Sequence, residues 1–166
     1  MVELHEAPAC VRLLLRGDAT VAARAGAAFG VALPLVPCRA AEAGARAALW
    51  LGPDEWLLLA PWGEEAEVEL AEALSGTAHS LVDVSDGFAA LVLRGAMAAR
   101  VLSAGCPLDL HDAAFPVGMA TRTVLDRAGI TLWRRGAQEW RVETGGSLAA
   151  HTGAFLTEAA QGLPDF

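Results

Sequence analysis

The sequence has little positive charge: 12 Lys and Arg residues stand against 20 Asp and Glu residues, which gives a formal net charge of −8. Proteins that bind nucleic acid carry a basic stripe that displaces counterions from the phosphates. Here the one close basic pair is Arg134-Arg135, inside a predicted hairpin. An anionic membrane surface would repel the chain for the same reason. The charge balance therefore argues against nucleic acid and against a membrane as partners.

Long apolar runs and paired cysteines are also missing. Gly, Pro or a charged residue interrupts every apolar stretch before the roughly 20 residues that a membrane span needs. The segment 1–6 contains two glutamates and no lysine or arginine, unlike the start of a secretory signal. Cys10, Cys38 and Cys106 are far apart, which suits neither a disulfide framework nor a zinc site. We therefore expect a cytoplasmic protein.

Motifs for catalysis are absent from the sequence. The four histidines, His5, His79, His111 and His151, neither pair at helical spacing nor lie in a short loop with a cysteine. His111 beside Asp112 indicates a turn or a cap rather than a base with its orienting acid. The chain has no GxSxG, CxxC, GxGxxG or GxxxxGKS/T motif. We expect no catalytic residue and no metal site on this chain.

The sequence does contain a regular series of apolar segments, and 54% of its residues are hydrophobic. The first half reads as strand, helix, strand, strand, helix, strand. The strands are predicted at 11–15, 47–51, 56–59 and 79–84, and the helices at 18–28 and 64–74. The segment 52–55, Gly-Pro-Asp-Glu, is typical of a hairpin turn, because proline fixes φ and Asp54 can bond its own backbone. This order is the split βαβ, ferredoxin-like pattern.

The second half repeats the first. The matching segments are 13–17 (LLLRG) with 91–95 (LVLRG), Leu49-Trp50 with Leu132-Trp133, and Glu55-Trp56 with Glu139-Trp140. A predicted strand at 121–125 has no evident counterpart in the first half, and the second half lacks a clear final strand. A shared element order with a slowly drifting period indicates an old duplication.

We therefore predict an α+β protein of two related ferredoxin-like βαββα(β) halves, packed as one compact unit. Residues 1–84 are predicted to form the first half, with the order βαββαβ. Residues 85–166 are predicted to form the second half, with the order βαβββα. The connection Ser85-Asp86-Gly87 is too tight to be a linker between separate domains.

Two features are candidates for contact with a partner protein. Trp62 lies in the loop 61–63, where no core position is predicted, so it either covers its own core or is an exposed interface anchor. Glutamates lie on nearly one face of the second predicted helix, which is either a solvated face or a docking face for a basic patch. The interface candidates are Trp62, Glu65, Glu69 and Glu72.

One further carboxylate stands out at the junction of the halves, in Val82-Asp83-Val84-Ser85. Asp83 alternates with two valines, so its side chain points away from their face. It is either a turn carboxylate that bonds nearby backbone N–H groups or an acid that hydrogen-bonds a heterocyclic ligand. Asp83 and Ser85 are the candidates for cofactor binding, although no cofactor is expected on this chain.

Five segments of the chain carry a family resemblance. They are 51–58 (LGPDEWLL), 82–85 (VDVS) with Gly95-Ala96 after it, 105–110 (GCPLDL), 115–118 (FPVG) and 121–123 (TRT). Through them, roughly residues 46 to 160 resemble the gamma subunit of heterotetrameric sarcosine oxidase. In one departure, Gly146 stands before Ser147 where that family commonly has an arginine, so a contact made by that arginine would be lost here.

The resemblance implies a non-catalytic accessory subunit. The complex it implies oxidatively demethylates sarcosine to glycine and passes the one-carbon unit to tetrahydrofolate. Its FAD, FMN, NAD and tetrahydrofolate would lie on other subunits. This chain would dock on the large, folate-binding alpha subunit, with beta and delta completing the heterotetramer.

The same VDVS-to-Gly95 stretch also resembles the glycine-cleavage T-protein and its folate-binding relatives. This resemblance implies an alternative, a stand-alone folate-binding protein in which Asp83 holds the pterin edge and Ser85 lies beside it. The sequence offers no Lys-rich patch to meet the glutamate tail of folate, which argues against the alternative.

Overall fold

The computed structural model describes residues 2–162 as an α+β fold with ten strands and four helices. The strands are β1 (Glu3–Glu6), β2 (Cys10–Arg16), β3 (Ala40–Ala43), β4 (Arg46–Gly52), β5 (Glu55–Pro61), β6 (Ser80–Asp83), β7 (Phe88–Arg94), β8 (Ala120–Leu125), β9 (Ala128–Gly136) and β10 (Glu139–Gly145). The helices are α1 (Ala19–Phe29), α2 (Ala66–Ala73), α3 (Ala98–Ser103) and α4 (Ala149–Gln161). The predicted α+β class with two related halves is confirmed.

The described residues divide into two compact units, one of residues 9–85 and one of residues 2–8 with 86–162. The prediction drew this division differently, because it assigned the N-terminal residues to the first half. They belong with the second half because β1 pairs antiparallel with β7, with Leu4 opposite Leu93. The polar segment ELHE gives no alternating signal from which this strand could be read.

In the unit of residues 9–85, five antiparallel strands lie in the order β3-β4-β5-β2-β6. Alternate side chains of a strand point to one face of a sheet. On one face they form a core with apolar side chains of α1 and α2. This core includes Val11, Leu13, Leu15, Val21, Phe29, Trp56, Leu58, Leu70 and Leu74. The predicted element order is confirmed, with β3 as an additional short strand.

The ends of α1 follow from two residues of its sequence. The Asp18 carboxylate accepts hydrogen bonds from the backbone N–H groups of Thr20 at 2.9 Å and Val21 at 3.0 Å. These bonds satisfy two donors that have no partner inside the helix. Gly30 ends the helix at a φ of 75°, a conformation that favours glycine. The helix predicted at 18–28 is therefore confirmed at Ala19–Phe29.

The two predicted tryptophan hairpins are confirmed as β4–β5 and β9–β10. Trp56 and Trp140, at equivalent places in the two, are fully buried. The Trp56 Nε1–H donates to the Pro34 carbonyl over 2.7 Å, which satisfies its one polar group. Trp140 packs against Phe115 with the ring centroids 5.1 Å apart. The repeated tryptophans are therefore core anchors of their own units.

In the other unit the sheet order is β1-β7-β10-β9-β8, again fully antiparallel. Its core combines strand residues with α3 and α4, and includes Leu91, Leu93, Val101, Leu102, Phe115, Leu132, Trp140, Val142 and Leu156. The strand predicted at 121–125 is confirmed as β8. It does have a counterpart, contrary to the expectation, because β3 holds the same position at the edge of the first sheet.

Candidate functional site

Trp62 lies in the turn that follows β5, and its side chain is 62% exposed. Gly63 has a φ of 87°, which an L side chain would adopt only under strain. The Glu64 N–H donates to the Pro61 carbonyl over 3.3 Å, which closes the turn. A tight turn thus carries an aromatic side chain that remains mostly in solvent.

Arg46, at the start of β4, connects this turn to the helices. Its Nε donates to a Glu64 carboxylate oxygen over 2.7 Å, and its Nη1 donates to Glu69 over 2.9 Å. Nη1 also donates to the Phe29 carbonyl over 3.1 Å, and the guanidinium lies 4.9 Å from the centre of the Phe29 ring. One side chain therefore joins β4, the Trp62 turn, α2 and the end of α1.

The same contacts shift the ionisation of the two charged partners. The hydrogen bond from Arg46 lowers the pKa of the Glu69 carboxyl below its ordinary value, against a smaller opposing effect of burial. The pKa of Arg46 is raised, and its hydrogen bond to Glu69 is again the largest cause. Glu69, predicted as an interface residue, is thus committed to a contact within its own unit.

The remaining acidic side chains of α2 face solvent. Glu65, Glu67 and Glu72 are exposed, and Val68 between them is 53% exposed. The buried positions Ala66 and Leu70 lie on the opposite side of the helix. The structure therefore places the predicted residues Trp62, Glu65 and Glu72 on the surface of one unit, in a turn and the helix after it.

Asp83 and Ser85 close the end of the β6 ladder. The Ser85 N–H donates to Asp83 Oδ1 over 2.8 Å, and the Ser85 hydroxyl oxygen accepts from the Arg12 N–H over 2.9 Å. Hydrogen bonds from the Ser85 hydroxyl and then from its N–H lower the pKa of the exposed Asp83 carboxyl. Both side chains thus have a structural role that links β6 to β2.

Sequence reasoning missed the buried Arg134 of β9, which holds the loop before β8. Its Nη1 donates to the Phe115 carbonyl over 2.8 Å, and its Nη2 donates to Asp112 over 2.6 Å and to the Ala137 carbonyl over 2.9 Å. The guanidinium also lies 5.0 Å from the centre of the Trp140 ring. The bond from Arg134 is the main cause of the lowered pKa of the exposed Asp112 carboxyl.

Neither Arg46 nor Arg134 could be found from a local pattern. Their partners lie up to 23 residues away for Arg46 and up to 22 for Arg134. The one hint for Arg46 was the excess of glutamates between 64 and 72, which calls for a nearby cation.

No group of three or more His, Cys, Asp or Glu side chains within residues 2–162 is placed to hold a metal ion. No helix of this range combines the length and the apolar character that a membrane crossing requires. His151 contacts Asp126 through Nε2 over 2.9 Å.

The chain matches the family described as sarcosine oxidase, gamma subunit, over residues 16–161. It is 40% identical over 133 residues to the sarcosine oxidase subunit gamma of Corynebacterium sp. strain P-1. That match covers 80% of this chain and 66% of the relative, so the chain spans slightly less than two thirds of the relative's length.

The fold also has counterparts among solved structures. A chain of the heterotetrameric sarcosine oxidase from Corynebacterium sp. U-96, in complex with pyrrole 2-carboxylate, superposes with a TM-score of 0.92 at 35% identity. The match covers 99% of this chain and 87% of that one. The aminomethyltransferase T of the glycine cleavage system from Bartonella henselae superposes with a TM-score of 0.73 at 14% identity, over 96% of this chain and 46% of that one. The second likeness shows a common fold alone.

Proposed function

The chain belongs to the sarcosine oxidase gamma subunit family, and we propose that it is a non-catalytic accessory subunit of a heterotetrameric sarcosine oxidase complex. The main observation in support of the proposal is that both the sequence and the fold match this family along most of the chain. The family match covers residues 16–161, and the fold likeness to a chain of a heterotetrameric sarcosine oxidase covers 99% of the chain.

In this proposal the chemistry takes place on the other subunits. The complex demethylates sarcosine oxidatively to glycine and transfers the one-carbon unit to tetrahydrofolate. FAD, FMN, NAD and tetrahydrofolate are held by those subunits. This chain docks on the large alpha subunit, and beta and delta complete the complex.

The docking surface proposed is Trp62 with the exposed carboxylates Glu65 and Glu72. Aromatic anchors dominate the energy of many interfaces, and a side chain held in place before binding loses less entropy on binding. The hydrogen bond from the Glu64 N–H to the Pro61 carbonyl and the contact of Arg46 with the Glu64 carboxylate restrain the Trp62 turn. The carboxylates fit a basic patch on the alpha subunit, which they would attract over some distance.

Co-expression with the alpha, beta and delta subunits tests the proposal. We expect a stoichiometric complex on size-exclusion chromatography, and we expect the isolated chain to be colourless and inert towards sarcosine. A chain that is folded but fails to co-purify with the three subunits would overturn the proposal.

The alternative, a stand-alone folate-binding protein, has less support. Ser85 Oγ and Asp83 Oδ1 already accept hydrogen bonds from backbone N–H groups of the same unit. The alternative requires saturable binding of tetrahydrofolate by the isolated chain, weakened in Asp83→Ala. A calorimetric titration without heat of binding eliminates it.

A further inference from the structure

The edge strands β1 and β6 hold the same place in their respective sheets, although they come from different places in the repeat. The two sheet orders, β3-β4-β5-β2-β6 and β8-β9-β10-β7-β1, correspond strand by strand. The edge strand beside β2 is β6, which follows helix α2 in the chain. The edge strand beside β7 is β1, which precedes β2 in the chain and does not follow α4. β1 therefore occupies in its sheet the position that β6 occupies in the other sheet.

The pairing register of β1 on β7 reproduces that of β6 on β2. The pairs of β2 with β6 are Leu13–Asp83, Leu14–Val82, Leu15–Leu81 and Arg16–Ser80. The pairs of β7 with β1 are Leu91–Glu6, Val92–His5, Leu93–Leu4 and Arg94–Glu3. Between equivalent pairs, the residue number in β7 exceeds that in β2 by 78, as the repeat requires. The residue number in β6 exceeds that in β1 by 77 at every one of these pairs.

One more hydrogen bond extends each ladder at the same place. The Val84 N–H donates to the Arg12 carbonyl over 2.9 Å, and the Ala7 N–H donates to the Ala90 carbonyl over 2.8 Å. A shift of the register by one residue would turn every side chain of the strand to the other face. The agreement at five successive positions therefore indicates two copies of one strand-binding edge.

The side chains of the two edge strands agree as well. Leu4 and Leu81, each at the second position of its strand, are half-buried and pack against the core of their unit. The other three residues of each strand are exposed. Each strand is thus held by backbone hydrogen bonds and by one leucine.

We infer that the outer edge of β7 is a binding site for an extended peptide strand, which the N-terminal segment fills in the intact chain. The ligand is a short segment with leucine at its second position and polar residues around it. Recognition uses the backbone groups of β7 and a leucine position at the core, in the manner of strand addition to a sheet edge. The site accepts the segment whatever its covalent connection, from either end of the chain or as a separate peptide.

The first experiment moves the segment within a complete chain. Residues 2–8 are removed from the N-terminus and attached after residue 166 through about 12 Gly and Ser residues, which span roughly 20 Å. Because Ala90 is a hydrogen-bonded position, the alternation of an antiparallel ladder directs the N–H groups of Val92 and Arg94 towards β1. We expect slow hydrogen exchange at these two amides in the rearranged chain, as in the wild type. An unfolded rearranged chain, or fast exchange at both amides, overturns the inference.

The second experiment supplies the segment separately. A chain that begins at Ala9 is expected to exchange Val92 and Arg94 amides at least about tenfold faster, and a synthetic peptide of residues 2–8 is expected to restore their protection. The Leu4→Asp peptide is the matched control. We expect it to bind at least about tenfold more weakly by fluorescence anisotropy, because it places a charge at the half-buried leucine position. Equal binding of the two peptides, or unchanged exchange in the shortened chain, contradicts the inference.

Discussion

At the scale of single residues, Arg134 shows how one buried cation organises a loop. Its side chain is 6% exposed, whereas that of its partner Asp112 is 83% exposed, so the ion pair itself is screened by water and contributes little. The bond to the Phe115 carbonyl and the stacking on Trp140 lie in the interior and contribute more. Arg134 therefore stabilises the loop through its planar guanidinium and the several donors of that group, rather than through its charge alone.

We predict that Arg134→Lys lowers the free energy of unfolding by about 2–4 kcal/mol, because lysine leaves at least one buried carbonyl without its donor and keeps a buried charge. Urea denaturation measures the change. Arg127→Lys, at a side chain that is 77% exposed, is the control and is expected to change stability by less than about 0.5 kcal/mol. Similar effects of the two variants would show that the Arg134 contacts are not stabilising.

The Arg46–Glu69 contact predicts a pH dependence. The pKa of Glu69 is lowered in the folded chain, so the unfolded chain binds a proton more readily and folding is favoured where Glu69 is ionised. This contribution is present above the ordinary pKa of 4.5 and is lost as the pH falls through the lower, folded value. We expect wild type to be more stable than Glu69→Gln at neutral pH, with the difference disappearing in acid.

Thermal unfolding across that pH range checks the Glu69 prediction. Glu67→Gln is the matched control on the same helix, at an exposed position. A stability difference between wild type and Glu69→Gln that persists unchanged in acid would contradict it.

For Trp62, we predict that Trp62→Ala weakens the proposed binding to the alpha subunit by at least about tenfold, because the proposed aromatic anchor is lost. The unfolding temperature is expected to stay unchanged, because the side chain is 62% exposed. Val117→Ala, at a residue of the other unit that is 51% exposed, is the control. Surface plasmon resonance compares the three proteins. Wild-type affinity in Trp62→Ala would remove Trp62 from the interface.

At the scale of secondary-structure elements, Gly105 lies where three elements meet. A Cβ atom there would come within 2.6 Å of the Phe155 ring in α4 and 2.9 Å of the Asp126 backbone nitrogen in the β8–β9 turn. The Asp126 N–H also donates to the Gly105 carbonyl over 3.0 Å. Residue 105, two positions after the end of α3, must therefore be glycine for α4 and this turn to approach it.

We predict that Gly105→Ala destabilises the protein by about 1–3 kcal/mol, since the backbone of Asp126 has little room to move away. Gly129→Ala is the control, because a Cβ atom at Gly129 would have no neighbour within 4 Å. Chemical denaturation distinguishes the two variants. Equal stability of both would mean that the α4 contact adjusts without strain.

The sequence was sufficient for the elements whose signals are local. The helix at 18–28 and the two tryptophan hairpins were predicted from neighbouring residues. The strands β1 and β3 were not predicted, because ELHE and AAEA lack an apolar alternation. Pairing with another strand decides their conformation. The exposed position of Trp62 was left open, because an aromatic in a loop can face either way.

At the scale of the whole molecule, the net charge of −8 affects how the chain meets a partner. We predict that its association rate with the proposed partner, the alpha subunit, falls as salt is added, because salt screens the attraction between an acidic surface and a basic one. Stopped-flow mixing at several salt concentrations measures the slope.

Two double variants, one in each unit, test which acidic side chains cause the salt dependence of the association rate. Glu65→Gln/Glu72→Gln is expected to make the salt dependence shallower. Asp86→Asn/Glu158→Gln removes the same charge from exposed positions of the other unit and is expected to leave the dependence nearly unchanged. Equal slopes for the two variants would mean that the acidic face of α2 does not guide association.

The pairing of β1 with β7 also has a consequence for the order of events during synthesis. β1 is translated before β7, the strand with which it pairs, and β7 follows more than 80 residues later in the chain. At about 5–20 residues per second, the N-terminal segment waits several seconds for its partner. All of residues 9–85 are translated in that interval, so their sheet can form first. The polar sequence ELHE, with a single leucine, suits a strand that must remain unpaired in water until β7 arrives.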